Sequence, residues 1–425
     1  MDLPLWSIIL VSVATAVIFG LILIIFGRSE KEIAQRVAHQ YDISDPQFLR
    51  VMGVLLGPAL VMGNRIETLL NGDEIFSAML KAIRGAEKTI TFETYIYWSG
   101  NIGKEFVDAL SEKSRQGVRI HVLLDWVGSE KMEESSIQQM RDAGVEIEKY
   151  HPPTWRNWRK MNNRTHRKIL VVDGKVGFTG GVGIADEWKG DAQGPLNWRD
   201  THYRVEGPVV AQLQAAFNDN WTKVKGNVLH TQNYFPELKK NGAHFAQVFK
   251  SSTEGGADSM HLIYLLSIAA AKKSIHLSMA YFIPDALARD AMVAELKRGV
   301  TIQIIVPGHY IDKTLVRSAS RGTWGPLLEA GAEIFEFQPT MFHCKVLIVD
   351  ELWVSAGSTN FDNRSFKLND EANLNVYNQQ FAQRQLADFR GDLARARRIT
   401  FEEWKSRPWQ EKAWEYSLKI MRPQL

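Results

Sequence analysis

The sequence predicts an α/β protein made of two copies of one unit, mixed β-sheets flanked by helices, behind a single N-terminal transmembrane helix. Three observations predict it. The chain opens with a long charge-free apolar run, four segments recur in the same order farther along, and helical patterns alternate with short β-branched runs. The 425 residues, 45% hydrophobic and 23% charged, are enough for two ordinary cores, which excludes a disordered chain or a disulfide-stapled miniprotein. Lys plus Arg number 51 against 48 Asp plus Glu, a net charge of +3, so a general nucleic-acid binder is not expected. The single cysteine, Cys344, rules out an internal disulfide and any multi-cysteine metal centre, and suits a reducing compartment.

The first element, residues 1–30, reads as a membrane anchor. Leu3 to Gly27 carry no charge, and a helix of about 20 apolar residues spans the hydrocarbon of a bilayer. Trp6 stands where an interfacial aromatic would sit. A cleaved signal peptide would need a basic start, and the only early charge is Asp2. Arg28, Lys31 and Arg36 follow the run, so the positive-inside rule puts the bulk of the chain in the cytoplasm. Residues 31–63 form a juxtamembrane segment. Its apolar stretch Val51–Gly63 is too short to span and is interrupted by Pro58, which reads as a core or interfacial piece.

The two halves are expected at 64–226 and 242–398, joined by a polar linker at 227–241. Ala82–Tyr97 matches Ser267–Phe282, Gly117–Asp125 matches Gly299–Pro307, and Ala143–Ile147 matches Ala330–Ile334. The fourth pair, Thr165–Asp173 and Phe342–Asp350, carries the chemistry. The offsets stay between 177 and 187 residues, so the match is collinear. Residues 399–425 form an amphipathic tail in which Trp404, Trp409 and Trp414 interleave with charges. Membrane-surface contact and packing back on the domain are both open for it.

The fourth segment reads His-x-Lys-x4-Asp twice: His166, Lys168 and Asp173, then His343, Lys345 and Asp350. His and Lys two apart on a strand point to one face. An imidazole and an ammonium there suit a substrate phosphate. The apolar runs that follow, Ile169–Val172 and Val346–Val349, read as strands buried on both faces. One such motif arises by chance, but two at the same point of a duplicated unit do not. Gly180 and Gly181, and Gly357 with Ser358, follow at matching positions and would let backbone approach a ligand, with Gly181, Ser358 and Asn360 as phosphate contacts. One further acid in each half, Asp200 and Glu371, would fix an imidazole's tautomer. No compact His/carboxylate set has zinc-ligand spacing and the lysines repel cations, so neither a metal nor another cofactor is expected. Cys344 points opposite to His343 and Lys345 in a strand and reads as packing; Glu93 is a candidate to reach the site. The basic aromatic stretch Trp155–Arg164 reads as a loop able to meet anionic headgroups or simply to be solvated.

These paired motifs resemble the phospholipase D superfamily, and within it the chain is most similar to the bacterial cardiolipin synthases. Supporting stretches are Phe92–Ile96, Leu123–Ser129, Trp198–His202 with Val205–Pro208, Ala280–Pro284 and Arg397–Pro408. The resemblance implies two α/β halves related by a pseudo-two-fold axis, with both motifs in one active site. It implies ping-pong phosphatidyl transfer: His166 attacks phosphorus as nucleophile, and His343 protonates the leaving alcohol and activates the incoming one, the two roles being exchangeable by symmetry. It makes Asp200 and Glu371 orienting groups, and Asp173 and Asp350 structural members of the motif that hold the halves together. The implied substrates are phospholipids in a bacterial inner membrane, phosphatidylglycerol first and phosphatidylethanolamine as another acceptor. Hydrolysis to phosphatidic acid, a nucleic-acid phosphodiesterase and an inactive membrane scaffold are the rival functions. The chain departs from the family pattern in two respects: Asn360 is present in the second half but its first-half counterpart is Gly183, and one N-terminal apolar span is read where the longer synthases often have two.

Overall fold

The computed structural model describes residues 4–26, 33, 35–153, 162–252 and 259–418. Arg28 and Lys31, most of the Trp155–Arg164 loop and the last seven residues lie outside them.

Sixteen strands form one mixed sheet. The first half supplies β1 (Val61–Leu70), β2 (Thr89–Thr94), β3 (Arg119–Asp125), β4 (Glu146–Tyr150), β5 (Arg164–Thr165), β6 (Ile169–Val172), β7 (Val176–Gly180) and β8 (Thr201–Glu206). The second supplies β9 (His244–Ser251), β10 (Ser274–Met279), β11 (Thr301–Pro307), β12 (Glu333–Phe337), β13 (Lys345–Val349), β14 (Trp353–Gly357), β15 (Asn369–Tyr377) and β16 (Ala396–Ile399). Outward from the antiparallel β1–β9 seam, one side runs β1-β8-β7-β6-β2-β3-β4 and the other β9-β15-β14-β13-β10-β11-β12, closed by β16. The order is the same in both directions, as the sequence repeats require. In each half the innermost crossover, β2 to β3 and β10 to β11, is parallel and passes through a helix (Asn101–Arg115 and Ala286–Lys297).

The apolar runs behave as expected of strands buried on both faces. All four residues of β6 and all five of β13 are buried. Alternation then sends Ile169 and Val171 to one core and Leu170 and Val172 to another. The first of these cores is shared between the halves. Helices Val210–Lys225 and Gln379–Leu393 cover it, and Ile169, Phe217 and Trp221 meet Val346, Ile348 and Phe389 there.

Strand β1 starts at Val61, and Val61 and Met62 pair with Ala246 and Phe245 across the seam. The juxtamembrane stretch is core material of the second half: Asp45 caps helix Pro46–Val54, whose Phe48 and Met52 are fully buried, and Phe48 meets the Trp353 ring edge-on at 5.0 Å. The tail packs back in part. Trp404 donates from Nε1 to the Arg321 carbonyl, and a buried Arg407–Glu415 pair braces helices Phe401–Ser406 and Trp409–Ser417, leaving Trp409 and Tyr416 exposed.

The apolar start forms the 22-residue helix Leu5–Phe26, with no acidic residue in its first turn and no basic residue in its last. Among the described residues no helix is long and apolar enough to cross a membrane. The expected transmembrane helix is not found among the described residues.

Candidate active site

Two cross-half strand contacts build the site. β5 pairs in parallel with the start of β15, Thr165 opposite Asp370, and the N–H of His166 donates to the Asp370 carbonyl at 2.9 Å. Symmetrically, Arg199 bridges Phe342, and the N–H of His343 donates to the Arg199 carbonyl at 2.7 Å. Each contact sets a histidine of one half beside the acid that follows in the other. His343 Nδ1 therefore lies 2.7 Å from Asp200 Oδ2, and His166 Nδ1 lies 3.0 Å from both oxygens of Glu371. A carboxylate only accepts, so Nδ1 carries the proton in each ring and Nε2 is left with its lone pair.

Both acids are wholly buried and held by donors. Asp200 accepts from Trp188 Nε1 at 2.9 Å and from the Thr201 N–H at 2.8 Å; Glu371 accepts from the Ser358 hydroxyl and from Asn369 Nδ2 at 3.3 Å. Burial pushes both carboxyls up. At Asp200 the His343 imidazole and Lys345 overcome this and hold the group below its ordinary value, so it is ionised. At Glu371 burial prevails against Lys168 and raises the group to about 7. Burial and the neighbouring lysines lower both imidazoles, His343 to about 4 and His166 well below its usual value, so both rings are neutral at neutral pH. Burial likewise brings Lys168 down to about 7 and lowers Lys345. The two ammoniums donate to the carbonyls of their own motif's histidine, at 2.7 Å for Lys168 and 2.6 Å for Lys345. Aromatic rings hold the imidazoles edge-on: Tyr95 against His166, Trp188 against His343.

His166, Lys168, His343 and Asn360 line one cavity of about 460 Å³. Lys345 reaches it through His343, with Nζ 3.2 Å from Nε2. Lys131, Arg164, Lys313 and Arg364 add positive charge, which suits a phosphodiester.

Several expected residues serve the site differently. Asp173 and Asp350 do not join the halves. Each sits in the turn after its strand with φ near +50° and accepts three backbone N–H groups of its own half: Glu87, Lys88 and Thr89 for Asp173, and Lys272, Lys273 and Ser274 for Asp350. Backbone N–H groups at the start of β2 and of β10, 76 to 86 positions earlier in the same half, consume both carboxylates. Gly181 makes room for protein rather than ligand, since a Cβ there would lie 2.2 Å from Asp200 Oδ1. Ser358 spends its hydroxyl on Glu371. Glu93 stays behind His166, accepting from Thr165 and, at 2.7 Å, from Asn220. Cys344 is buried against Thr201, its thiol pushed up to about 12 by burial. Gly183 has a steric reason: a Cβ there would come within 2.8 Å of Ile96 Cβ, so no asparagine fits. Sequence reasoning missed Tyr281, Asp312 and Arg364 in the cavity wall; only the Ala280–Pro284 stretch hinted at the first.

Comparison with known proteins agrees with this geometry. Residues 79–221 and 264–393 match the family described as "Cardiolipin synthase, PLD-like domain". The chain is 34% identical over 369 residues to a cardiolipin synthase of Geobacillus kaustophilus, covering 86% of this chain and 73% of that protein. It is also 34% identical to cardiolipin synthase A of Pseudomonas fluorescens, covering 84% and 74% of the two chains. The solved phosphatidylserine synthase of Haemophilus influenzae shares the fold at 14% identity, with a TM-score of 0.67 over 88% of this chain and 99% of that one. Two histidine–lysine motifs in one cavity, and sequence identity across both halves, make the chain a member of the cardiolipin synthase family of phospholipase D-like phosphatidyltransferases.

Proposed function

We propose that this phosphatidyltransferase joins two phosphatidylglycerols into cardiolipin and releases glycerol, through a phosphohistidine on His166. The observation that carries the reading is the pair of imidazoles on one cavity, each with its Nδ1 against a buried acid, and with Lys345 Nζ 3.2 Å from Nε2 of His343. In the first step Nε2 of His166 bonds to the donor phosphorus, the bond from phosphorus to the headgroup glycerol breaks, and His343 delivers a proton to that alcohol. In the second, the hydroxyl of the acceptor phosphatidylglycerol gives its proton to His343 and bonds to phosphorus, and the phosphorus–nitrogen bond breaks. His343 enters the first step as an imidazolium, is neutral between the steps and regains its proton in the second; ionised Asp200 stabilises that imidazolium, which favours His343 as the proton carrier. An entering phosphodiester brings the negative charge that raises the proton affinity of both rings and both lysines, and the ammoniums offset charge on the equatorial oxygens.

The charge-free apolar run Leu3–Gly27, followed by Arg28, Lys31 and Arg36, supports reading the N-terminal stretch as an anchor in a bacterial inner membrane, with the catalytic part on the cytoplasmic side. Donor and acceptor both live in that bilayer. The matching strand orders support an origin of the two halves by duplication about a pseudo-two-fold axis.

The test is lipid analysis after incubating the purified chain with phosphatidylglycerol, beside His166→Ala and His343→Ala. Cardiolipin with equimolar glycerol, absent from both variants, is expected, and an alkaline quench, which spares the acid-labile phosphoramidate, should leave label from phosphorus-labelled phosphatidylglycerol on wild-type protein only at His166. Phosphatidic acid as the sole product would make the chain a hydrolase. Dependence on added phosphatidylethanolamine would move the acceptor.

A further inference from the structure

The cavity is not symmetric, although the frame around it is. By the collinear repeat, Ile96 of the first half corresponds to Tyr281 of the second, and Gly183 to Asn360. All but Gly183 line the cavity. The first-half pair is apolar and closed, Ile96 filling the space over Gly183. The second-half pair is polar and open.

That polar wall continues into a loop whose first-half counterpart, Glu130–Lys131, lines the opposite side of the same cavity. Between β11 and helix Thr314–Arg321 the chain lays Asp312 and Lys313 along the cavity. The Tyr281 hydroxyl donates to the Asp312 carboxylate, 2.7 Å and 2.9 Å from its two oxygens, and so fixes it. Asp312 is exposed and keeps acceptor capacity beyond this one bond. Its charge is felt at His343 and Lys345.

A second observation is independent of this pair. Asn369 lines the same cavity and is 7% exposed. Its Nδ2 donates to Glu371, which fixes the amide's orientation, and its Oδ1 has no hydrogen-bond partner among the described residues. A carboxylate and an amide oxygen are acceptors. They repel a phosphate and favour a donor: a hydroxyl or an ammonium. The same space is lined by the cations Lys131, Arg164, Lys168, Lys313 and Arg364 and by the acids Glu130, Glu187, Asp312 and Asp362, a near balance that favours an uncharged donor, a hydroxyl, over an ammonium.

We infer that Asp312, held by Tyr281, and Asn369 form a subsite that grips the hydroxyls of a glycerol headgroup and presents one of them to His343. The inference rests on the phosphatidyl-transfer reading and deepens it: it assigns the alcohol to the second-half wall and makes a polyol the preferred acceptor. The subsite lowers hydrolysis as well, because a held alcohol outcompetes water for the phosphohistidine.

The experiment uses the full chain in mixed micelles with acyl-labelled phosphatidylglycerol as donor. Deuterated glycerol and methanol are supplied together as competing acceptors. Mass spectrometry reads the ratio of deuterated phosphatidylglycerol to phosphatidylmethanol. In wild type the glycerol product is expected to dominate. In Asp312→Ala the ratio should fall at least about tenfold, because the loss on glycerol exceeds the loss on methanol, a discrimination of the size that one site-to-hydroxyl contact supplies. Asn369→Ala should move the ratio the same way. Tyr281→Phe keeps the ring and its packing and should lower the ratio by about threefold, which preserves the test if Asp312→Ala melts early. Wild-type transfer with a ratio unchanged in all three variants overturns the subsite alone. No transfer by wild type to either alcohol overturns the phosphatidyl-transfer reading and the subsite with it.

Discussion

The carboxylate of Glu371 lies 3.0 Å from Nδ1 of His166, although the two residues are 205 positions apart and belong to opposite halves. Asp200 and His343 repeat the arrangement in reverse. Neither half owns a complete histidine–acid pair, and the pairs form only when β5 and β15 run side by side and Arg199 meets Phe342.

Neutralising either acid should therefore cost rate rather than binding. Asp200→Asn is expected to lower kcat for cardiolipin formation by on the order of 10³-fold, because an amide no longer requires the Nδ1–H tautomer and no longer stabilises the imidazolium. Glu371→Gln should lose on the order of 10²-fold, since that group already holds a proton part of the time near pH 7. Steady-state kinetics on phosphatidylglycerol micelles check this. A raised KM with an unchanged kcat would contradict the orienting role.

The pH profile should carry the signature of Lys168. Burial has brought its ammonium to about 7, so the group is cationic below that pH and neutral above it. kcat/KM is expected to fall as pH rises through about 7, because the free enzyme loses a charge that binds phosphate. Lys168→Arg, cationic throughout, should flatten that limb even if its overall rate is lower.

Asp173 and Asp350 should behave as stability residues. Asp173→Ala strips three backbone N–H groups of their acceptor, at a cost of about 2–4 kcal/mol after water replaces part of it. Urea unfolding should show an earlier midpoint. Residual folded enzyme should keep its kcat, whereas a catalytic Asp173 would show a kcat loss in fully folded protein.

Glu93 links stability to pH in the direction opposite to a salt-bridged acid. Burial raises it to about 7 in the folded chain, against an ordinary value of 4.5. Between those values the folded state holds a proton that the unfolded state has released, so its contribution is full below pH 4.5 and is lost as pH rises through 7. Glu93→Gln keeps the acceptor for Thr165 and Asn220 and should be the more stable form at pH 8, by on the order of 3 kcal/mol. Thermal melts at pH 5 and pH 8 compare the two chains; an equal difference at both pH values would refute the assignment.

Gly183→Asn should not restore a missing phosphate contact. Its side chain would collide with Ile96, costing about 1–3 kcal/mol. Adding Ile96→Ala should recover much of that loss in a melting experiment, which is how a steric cause differs from a conformational one.

Much of the fold was legible because buried strands announce themselves. Ile169–Val172 and Val346–Val349 are unbroken apolar runs, and their repetition with His-x-Lys in front located both motifs and the duplicated unit around them. The crossing of the acids was not legible. Asp200 and Glu371 were recognisable as orienting groups, but which ring each one faces depends on contacts between β5 and β15 and between Arg199 and Phe342, two-residue and one-residue pairings too short to leave a pattern. Gly181 and Ser358 were read as ligand contacts because glycine permits any close approach; here the approaching groups are the carboxylates of Asp200 and Glu371. The apolar stretch Val51–Gly63 of the expected juxtamembrane segment 31–63 reads equally as core or as interface, since nothing in its composition tells the core of the distant half, where Met52, Leu56 and Leu60 sit, from a lipid surface. Asp312 was invisible because an isolated Asp in a loop has no spacing to betray it.

The crossed acids also explain what a single polypeptide gains over a pair of identical ones. One copy of this unit by itself would be chemically inert, and two identical copies would be forced to face each other with identical walls, Gly against Gly or Asn against Asn. Joining them in one chain keeps the exchange of acids compulsory while freeing the walls to differ. Ile96 over Gly183 on one side, and Tyr281 with Asn360 on the other, record that freedom: the parts that must match still do, and a reaction with two unlike alcohols, one leaving and one arriving, has a distinct surface available for each.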